Sequence, residues 1–265
     1  SSLLEQLFQN LYLLIIGKSF SAKELGFYTQ AKKFQELPAT TLSQIINSVS
    51  FPAFSKIQDD NQRLSIVFTK TLKIIAFINF PIMIGLFSVA EPLIYNVLGE
   101  KWLPAIPYFK LLCLSGLFYS ISTINLSILQ VKGRTDLYLK LEIIKKILIL
   151  IAIIIGINWG IIGLIIGQII TAIISYFLNI YYSNKLLRYN FYKQIKDIIP
   201  YFLGSVFMFF CAYFYNIEND NLISFCLKIL LCILSYLFYA VVFRLDAFNY
   251  LYEIINDIYT KKLKK

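Results

Sequence analysis

Two adjacent lysines and a carboxylate open a polar stripe inside an otherwise apolar chain. The run is ELGFYTQAKKFQELPATTLSQIINSVSFPAF, residues 24–54. A helix turning 100° per residue gathers Glu36, Thr40, Ser43, Asn47 and Ser50 within about 80° of Lys32. Lys33 and Gln44 widen the stripe to about 120°. Ammonium groups attract anions, and amides and hydroxyls can pass hydroxyl-rich ligands along. The run is long enough to cross a bilayer, where a central lysine costs about 2.5–3.5 kcal/mol, so the stripe should face protein or a water-filled cavity. A second stripe, Glu5, Gln6, Gln9 and Asn10, covers about 140° of an apolar segment at 3–17.

Lys32 lies eight residues into its segment, roughly 12 Å deep. Two readings stay open for it: a cation that meets an anionic headgroup, or a structural partner of Glu36 at i, i+4. Pro38 removes a backbone donor inside the stripe, which makes it a candidate hinge as well as a kink. Elsewhere the structural reading is the stronger. Lys110 suits interfacial anchoring. Ser115, Ser120, Ser122, Thr123, Asn125, Ser127 and Gln130 suit tight helix packing. Glu142, Lys145 and Lys146 form i, i+3 and i, i+4 pairs, expected at the cytoplasmic end of their helix. Gln168 is expected to form an interhelical hydrogen bond, and Gly156, Gly160, Gly163 and Gly167 have close-packing spacing.

The remaining composition excludes more than it offers. There is no histidine, which removes the serine triad and most zinc sites. Cys113, Cys211, Cys226 and Cys232 all sit in apolar runs without metal-ligand spacing. No glycine-rich phosphate loop and no nucleophile with a base is present, so we expect neither an enzyme nor a cofactor nor a metal. The net charge of +10 is dispersed among short loops rather than gathered into a patch, which argues against nucleic acid.

Positioning these residues falls to helices. The chain is 58% hydrophobic and 15% charged, with mean hydropathy +0.68. Soluble domains carry about 25% charge. We read an all-α polytopic membrane protein with eight candidate spans: 3–17, 24–54, 66–98, 103–131, 137–157, 159–187, 198–217 and 222–244. The third is too long for one crossing; it should start as an amphipathic turn with Lys70 and Lys73, and Pro81 and Pro92 should bend or end it. One alternate set of loops holds only Lys18, Lys23 and Lys101. The other holds Lys56, Arg63, Lys132, Arg134, Arg188, Lys193, Lys196, Lys261, Lys262, Lys264 and Lys265. The positive-inside rule places the second set, with both chain ends, in the cytoplasm. The acidic loop IENDN then lies outside. A start at Ser1, almost directly in a hydrophobic segment, suggests a portion of a longer protein.

Four sequence runs carry a resemblance. IGK followed by LGFY, then FPAFSKIQDD, then GEKW before a proline, then KGRTD, resemble the lipopolysaccharide and O-antigen flippases of the multidrug/oligosaccharidyl-lipid/polysaccharide exporter superfamily. The likeness covers nearly all of the chain and is most specific in its first 150 residues. It implies a fourteen-helix transporter of two six-helix bundles and two extra helices. Residues 1–190 would be the second bundle, and 191–265 the extra pair with a basic tail. It also implies an undecaprenyl-diphosphate-linked oligosaccharide as substrate and the bacterial inner membrane as location. Membrane lipids, an absent N-terminal bundle and a polysaccharide polymerase would be partners. Site residues rest on the stripes: Lys32, Lys33, Glu36, Gln44, Asn47, Gln9 and Asn10, with Pro38 as hinge. Two alternatives remain open, a multidrug/cation antiporter of the same superfamily and a non-transporting component of a polysaccharide assembly complex.

Overall fold

The computed structural model describes residues 2–187, 189–215 and 222–253, with the side chains of 2–7 and 9 outside the description. Arg188, the IENDN loop and the lysines of the C-terminal tail therefore lie outside the described residues. Everything regular in the described part is helical: α1 (Ser2–Ser19), α2 (Ala22–Ser55), α3 (Asn61–Ser88), α4 (Ala90–Leu98), α5 (Ile106–Val131), α6 (Thr135–Gly156), α7 (Gly160–Leu187), α8 (Phe191–Phe214) and α9 (Leu222–Val242). A further helical stretch begins at Asp246 and continues to residue 253. Short 3₁₀ turns at Glu100–Ala105 and Ile157–Trp159 complete the order.

Local chemistry sets the ends. Ser21 and Glu24 form a reciprocal capping box at the start of α2: Glu24 N donates to Ser21 Oγ at 3.2 Å and Ser21 N to Glu24 Oε2 at 3.0 Å. Asp60 accepts from Arg63 N at 2.9 Å to start α3. Gly133, at φ +67°, makes the turn in KGRTD, and Gly160, at φ +72°, reverses the chain between α6 and α7.

The expected long third segment divides at Val89, between α3 and α4, rather than at a proline. Pro81 stays inside α3 and Pro92 sits in the first turn of α4. Pro81 has no N–H for the carbonyl of Phe77, four residues earlier. The Tyr236 hydroxyl of α9 donates to that carbonyl at 3.0 Å. A freed backbone acceptor in an apolar setting is thus satisfied by a neighbouring helix.

Helix α5 is the hub. It packs along α2, α3 and α7; α6 packs on α7, α8 on α3, and α9 on α8. The α6–α7 hairpin is close because both helices carry glycine where they meet. A Cβ on Gly156 would stand 2.8 Å from the Gly163 carbonyl oxygen, as the glycine spacing led us to expect. Outward faces of α6 to α9 expose isoleucine, leucine and phenylalanine. Among the described residues, five stretches are long and apolar enough to cross a membrane: Asn61–Ser88, Glu100–Val131, Thr135–Leu187, Phe191–Phe214 and Leu222–Val242. The third contains both α6 and α7. This is a multi-pass membrane protein.

The end of α9 is tied back to the bundle. Lys73 Nζ of α3 lies 2.6 Å from Asp246 Oδ2 and 3.3 Å from Asp197 Oδ1 of α8. The Tyr189 hydroxyl donates to Asp197 Oδ2. Burial first, and Asp197 second, push the Tyr189 phenol above its ordinary range, which keeps it a proton donor. The Tyr201 hydroxyl accepts from Ala247 N at 3.3 Å.

Candidate functional site

The open face of α2 carries the candidate site. Lys32 Nζ stands 3.4 Å from Glu36 Oε1, the i, i+4 pair expected from the sequence. The lysine side chain is 15% exposed and the glutamate 49%. At half exposure such a pair is worth only about 0.3–0.5 kcal/mol. Helix α2 begins at Ala22, so Lys32 is ten residues in, about 15 Å rather than 12 Å. Lys33 and Gln44 are exposed, Asn47 and Thr40 half-buried. On α1, Asn10 is exposed, and the Gln9 side chain lies outside the described residues, with those of Glu5 and Gln6. Leu37, Ile45 and Val49 are interleaved with these polar groups and are exposed too. The surface is therefore mixed, suited to a ligand with both polar and apolar parts.

The stripe does not stay on one side. Ser43 and Ser50, which a fixed 100° wheel places beside Lys32, are buried. Besides Phe27 and Ala31, the buried positions of α2 are Tyr28, Gln35, Ala39, Ser43, Ser50 and Phe54. They recur every four or seven residues, about 3.7 per turn, so the buried edge drifts around the helix along its length. Near Lys32 the inner edge is Tyr28 and Gln35; two turns later it has swung to Ser43. The Ser43 hydroxyl donates to Ser120 Oγ at 3.1 Å, and Ser120 to Asn79 Oδ1 at 3.2 Å. Asn79 Nδ2 donates to the Leu117 carbonyl at 2.9 Å. This seam joins α2, α3 and α5.

Gln35, absent from the sequence reading, lies in the same seam, its Nε2 4.0 Å from the Met83 sulfur. Gly116 makes room for it. A Cβ there would stand 2.5 Å from Gln35 Nε2 and 2.6 Å from Met83 Sδ. Pro38 lies within α2, and its missing N–H leaves the Phe34 carbonyl without its usual donor.

Sequence reading also misjudged α6. Because α6 spans Thr135–Gly156, Lys145 and Lys146 sit at mid-helix and not at its end. Lys145 Nζ is 2.9 Å from Glu142 Oε1, and Lys146 Nζ is 3.9 Å from Glu142 Oε2. All three side chains are largely covered. Lys146 stands 5.1 Å over the Phe8 ring of α1. The Gln168 amide of α7 donates to the Tyr28 hydroxyl at 2.8 Å, the interhelical bond expected of it. That contact puts the start of α2 and the α6–α7 turn at the same end of the bundle. Lys32, ten residues from the start of α2, and Lys146, ten from the end of α6, are then both about 15 Å from that end. Two charged pairs thus lie at one depth. The signal was in the sequence: the depth count made for Lys32, applied to α6 from Thr135, finds it.

Among the described residues there is no cluster of three or more His, Cys, Asp or Glu that could hold a metal ion.

Comparison with known proteins follows the same division. Residues 1–107 match the polysaccharide biosynthesis protein family. The lipopolysaccharide biosynthesis protein WzxC of Escherichia coli is 39% identical over 147 residues, 56% of this chain and 30% of that protein. The teichuronic acid biosynthesis protein TuaB of Bacillus subtilis is 35% identical over 137 residues, 52% of this chain and 28% of that protein. The matches thus span about a third of these relatives' lengths. The fold is similar to that of lipid II flippase MurJ in an inward closed conformation, with TM-score 0.71 at 21% identity over 83% of this chain and 47% of that one. The resemblance to polysaccharide exporters read from the sequence is borne out.

Proposed function

We propose that this chain, similar to polysaccharide biosynthesis proteins through residues 1–107, is part of a flippase for lipid-linked oligosaccharides. Residues 1–190 form the second six-helix bundle, and 191–265 supply two extra helices and a basic cytoplasmic tail. Eight helices cross the bacterial inner membrane, with the C-terminus in the cytoplasm. The substrate is an undecaprenyl-diphosphate-linked oligosaccharide that serves surface polysaccharide synthesis. The observation that carries this reading is the open face of α2. Lys32 is a deep cation beside Glu36, and beyond it run exposed Lys33 and Gln44 and half-buried Asn47.

The physical logic is differential solvation. A diphosphate loses its hydration on leaving the interface, and a mid-membrane ammonium replaces part of it. Amides of α2, with Asn10 and Gln9 of α1, exchange hydrogen bonds with passing sugars. Leu37, Ile45 and Val49 keep the wall compatible with the polyprenyl chain. An opposing bundle completes the path, as parallel repeats about an axis along the membrane normal. Pro38 lets α2 bend as the two bundles rock. A polysaccharide polymerase is the expected downstream partner. The chain itself performs no bond chemistry on its cargo.

Charge reversal tests this directly. Lys32→Glu in the intact protein should abolish surface polysaccharide display at normal protein level, while Lys32→Arg retains most of it. Full display with Lys32→Glu would remove the role given to that lysine. An antiporter reading draws less support, because it asks for a buried carboxylate free to take a cation. Glu36 is half exposed beside Lys32, and Glu142 is held by two lysines.

A further inference from the structure

Two outward stripes of the bundle end alike where α7 turns into α8. On α7 the exposed residues Ile162, Ile166, Ile170, Ile174 and Phe177 lead to Tyr181 and Lys185. On α8, read back toward the turn, Phe207, Leu203 and Ile199 lead to Lys196 and Tyr192. Spacings of three and four residues keep each set on one face. From Ile162 to Tyr181 the rise is about 29 Å, and from exposed Tyr213 back to Tyr192 about 32 Å. Both match the hydrocarbon core of a bilayer, about 30 Å thick, so the two phenols stand at its edge. Lys185 lies one turn farther out. Lys196 lies one turn inside and reaches the edge by extending along its helix. The turn holds these ends together. The Phe177 and Phe191 rings are 5.6 Å apart. With its oxygen toward α8, the Asn184 amide accepts from Phe191 N at 2.8 Å and donates to the Tyr189 carbonyl. Asn190 Oδ1 caps Tyr192 N at 3.2 Å, and Lys193 stands to one side, 5.6 Å over the Tyr189 ring.

We propose that this corner is a docking surface for an anionic glycerophospholipid of the surrounding leaflet. Lys185 and Lys196 take the phosphate diester, the Tyr181 and Tyr192 hydroxyls donate to its oxygens, and the acyl chains lie along the two apolar stripes. Simple anchoring asks for a lysine or an aromatic ring on each helix independently. Here two ammoniums and two phenols from different helices converge on a corner fixed by the Asn184 bridge, so their spacing is preorganised. A zwitterionic headgroup carries its own ammonium, which the lysines repel, whereas a net-anionic one has nothing to offset them. Tyr181 lies thirteen residues along α7 from Gln168, about 20 Å, so the lipid sits well away from the Tyr28 end of α2. A lipid held here would brace α8 against α7, and it does so whether or not the flippase reading holds.

Lipid binding can be read without transport. The intact protein, purified in a neutral detergent, is titrated with phosphatidylglycerol or phosphatidylcholine while its melting temperature is followed. The lipid it retains from an equimolar mixture is counted by native mass spectrometry. Phosphatidylglycerol should be retained at least about tenfold over phosphatidylcholine, and should raise the melting temperature saturably, by several degrees. A lysine beside an anionic lipid is worth about fivefold in affinity, so Lys185→Gln with Lys196→Gln should erase the preference. Lys56→Gln with Lys140→Gln removes two exposed charges from the same end of the bundle and should leave it intact. Equal retention of the two lipids by the natural protein would overturn the proposal. An equal loss in the Lys56 and Lys140 pair overturns it as well, by making the preference a general effect of the basic surface. Displacement of phosphatidylglycerol by an equimolar polyprenyl phosphate overturns it too, by giving the corner to another phosphate lipid. Where the Lys185 and Lys196 pair does not fold, the lipid series on the natural protein and on the Lys56 and Lys140 pair decides.

Discussion

One helix, α2, carries two polar regions that share residue types and differ in what they touch. Its inner seam, Gln35 and Ser43 with Ser120 and Asn79, is closed by side-chain contacts and hydrogen bonds within the bundle. Its open face, Lys33, Glu36 and Gln44, is exposed, with Lys32 largely covered at its edge. Polarity in a membrane helix is therefore not by itself a sign of a ligand path. What separates the two is whether each polar group already has its hydrogen bonds inside the protein. The seam should answer to stability measurements, the face to transport.

The largest effect is expected in the seam. Gly116→Leu drives a side chain into Gln35 and Met83, and overpacking of this kind costs about 1–3 kcal/mol or more. The intact protein should melt well below its natural temperature, with transport falling only as folded protein falls. A normal melting temperature would show that α2 and α5 separate more easily than the seam suggests. On the open face the readouts reverse. Lys32→Ala removes a charge-assisted contact worth about 1.5–3 kcal/mol to an anionic headgroup, so translocation should slow about ten- to hundredfold. Its ion pair is worth about 0.3–0.5 kcal/mol, so the melting temperature should barely move. A large loss of stability with unchanged transport per folded molecule would return Lys32 to a structural role.

An intermediate effect tests the junction with α9. Tyr236→Phe removes the donor to the Phe77 carbonyl that Pro81 leaves open. The loss should be about 1–3 kcal/mol, the cost of an unsatisfied buried acceptor. Hydrogen exchange should rise around residues 77–81. Unchanged exchange there would mean that another donor takes over the carbonyl.

The comparison also explains what could be read in advance. Apolar run lengths gave the helical architecture, because the membrane imposes them. Gln168 was legible because a single amide in an apolar helix needs a neighbour. The division of the stripe was not, since the phase of a buried edge depends on how α2 winds against α5, and a fixed wheel cannot carry a drift of 3.7 against 3.6 residues per turn. The α6 charges were misplaced through an assumption about where they sit on their helix. The Tyr236–Phe77 bond joins residues 159 apart in sequence, and nothing local announces it.

The smallest effects give the sharpest division, because they come from adjacent residues. Ser43 points into the seam and Gln44 out of it. Ser43→Ala deletes one interhelical hydrogen bond, worth about 0.6 kcal/mol in membrane proteins, and should lower the melting temperature slightly without changing the translocation rate. Gln44→Ala should leave melting unchanged and slow translocation a few-fold, the loss of about one weak hydrogen bond to cargo of about 0.5–1.5 kcal/mol. Measured together in the intact protein, the two variants cross over if the buried edge of α2 passes between them. If both change stability alone, the open face ends before Gln44 and the path is confined to the first half of the helix. If both change transport alone, the seam opens during the cycle, and Ser43 reaches the cargo in another conformation.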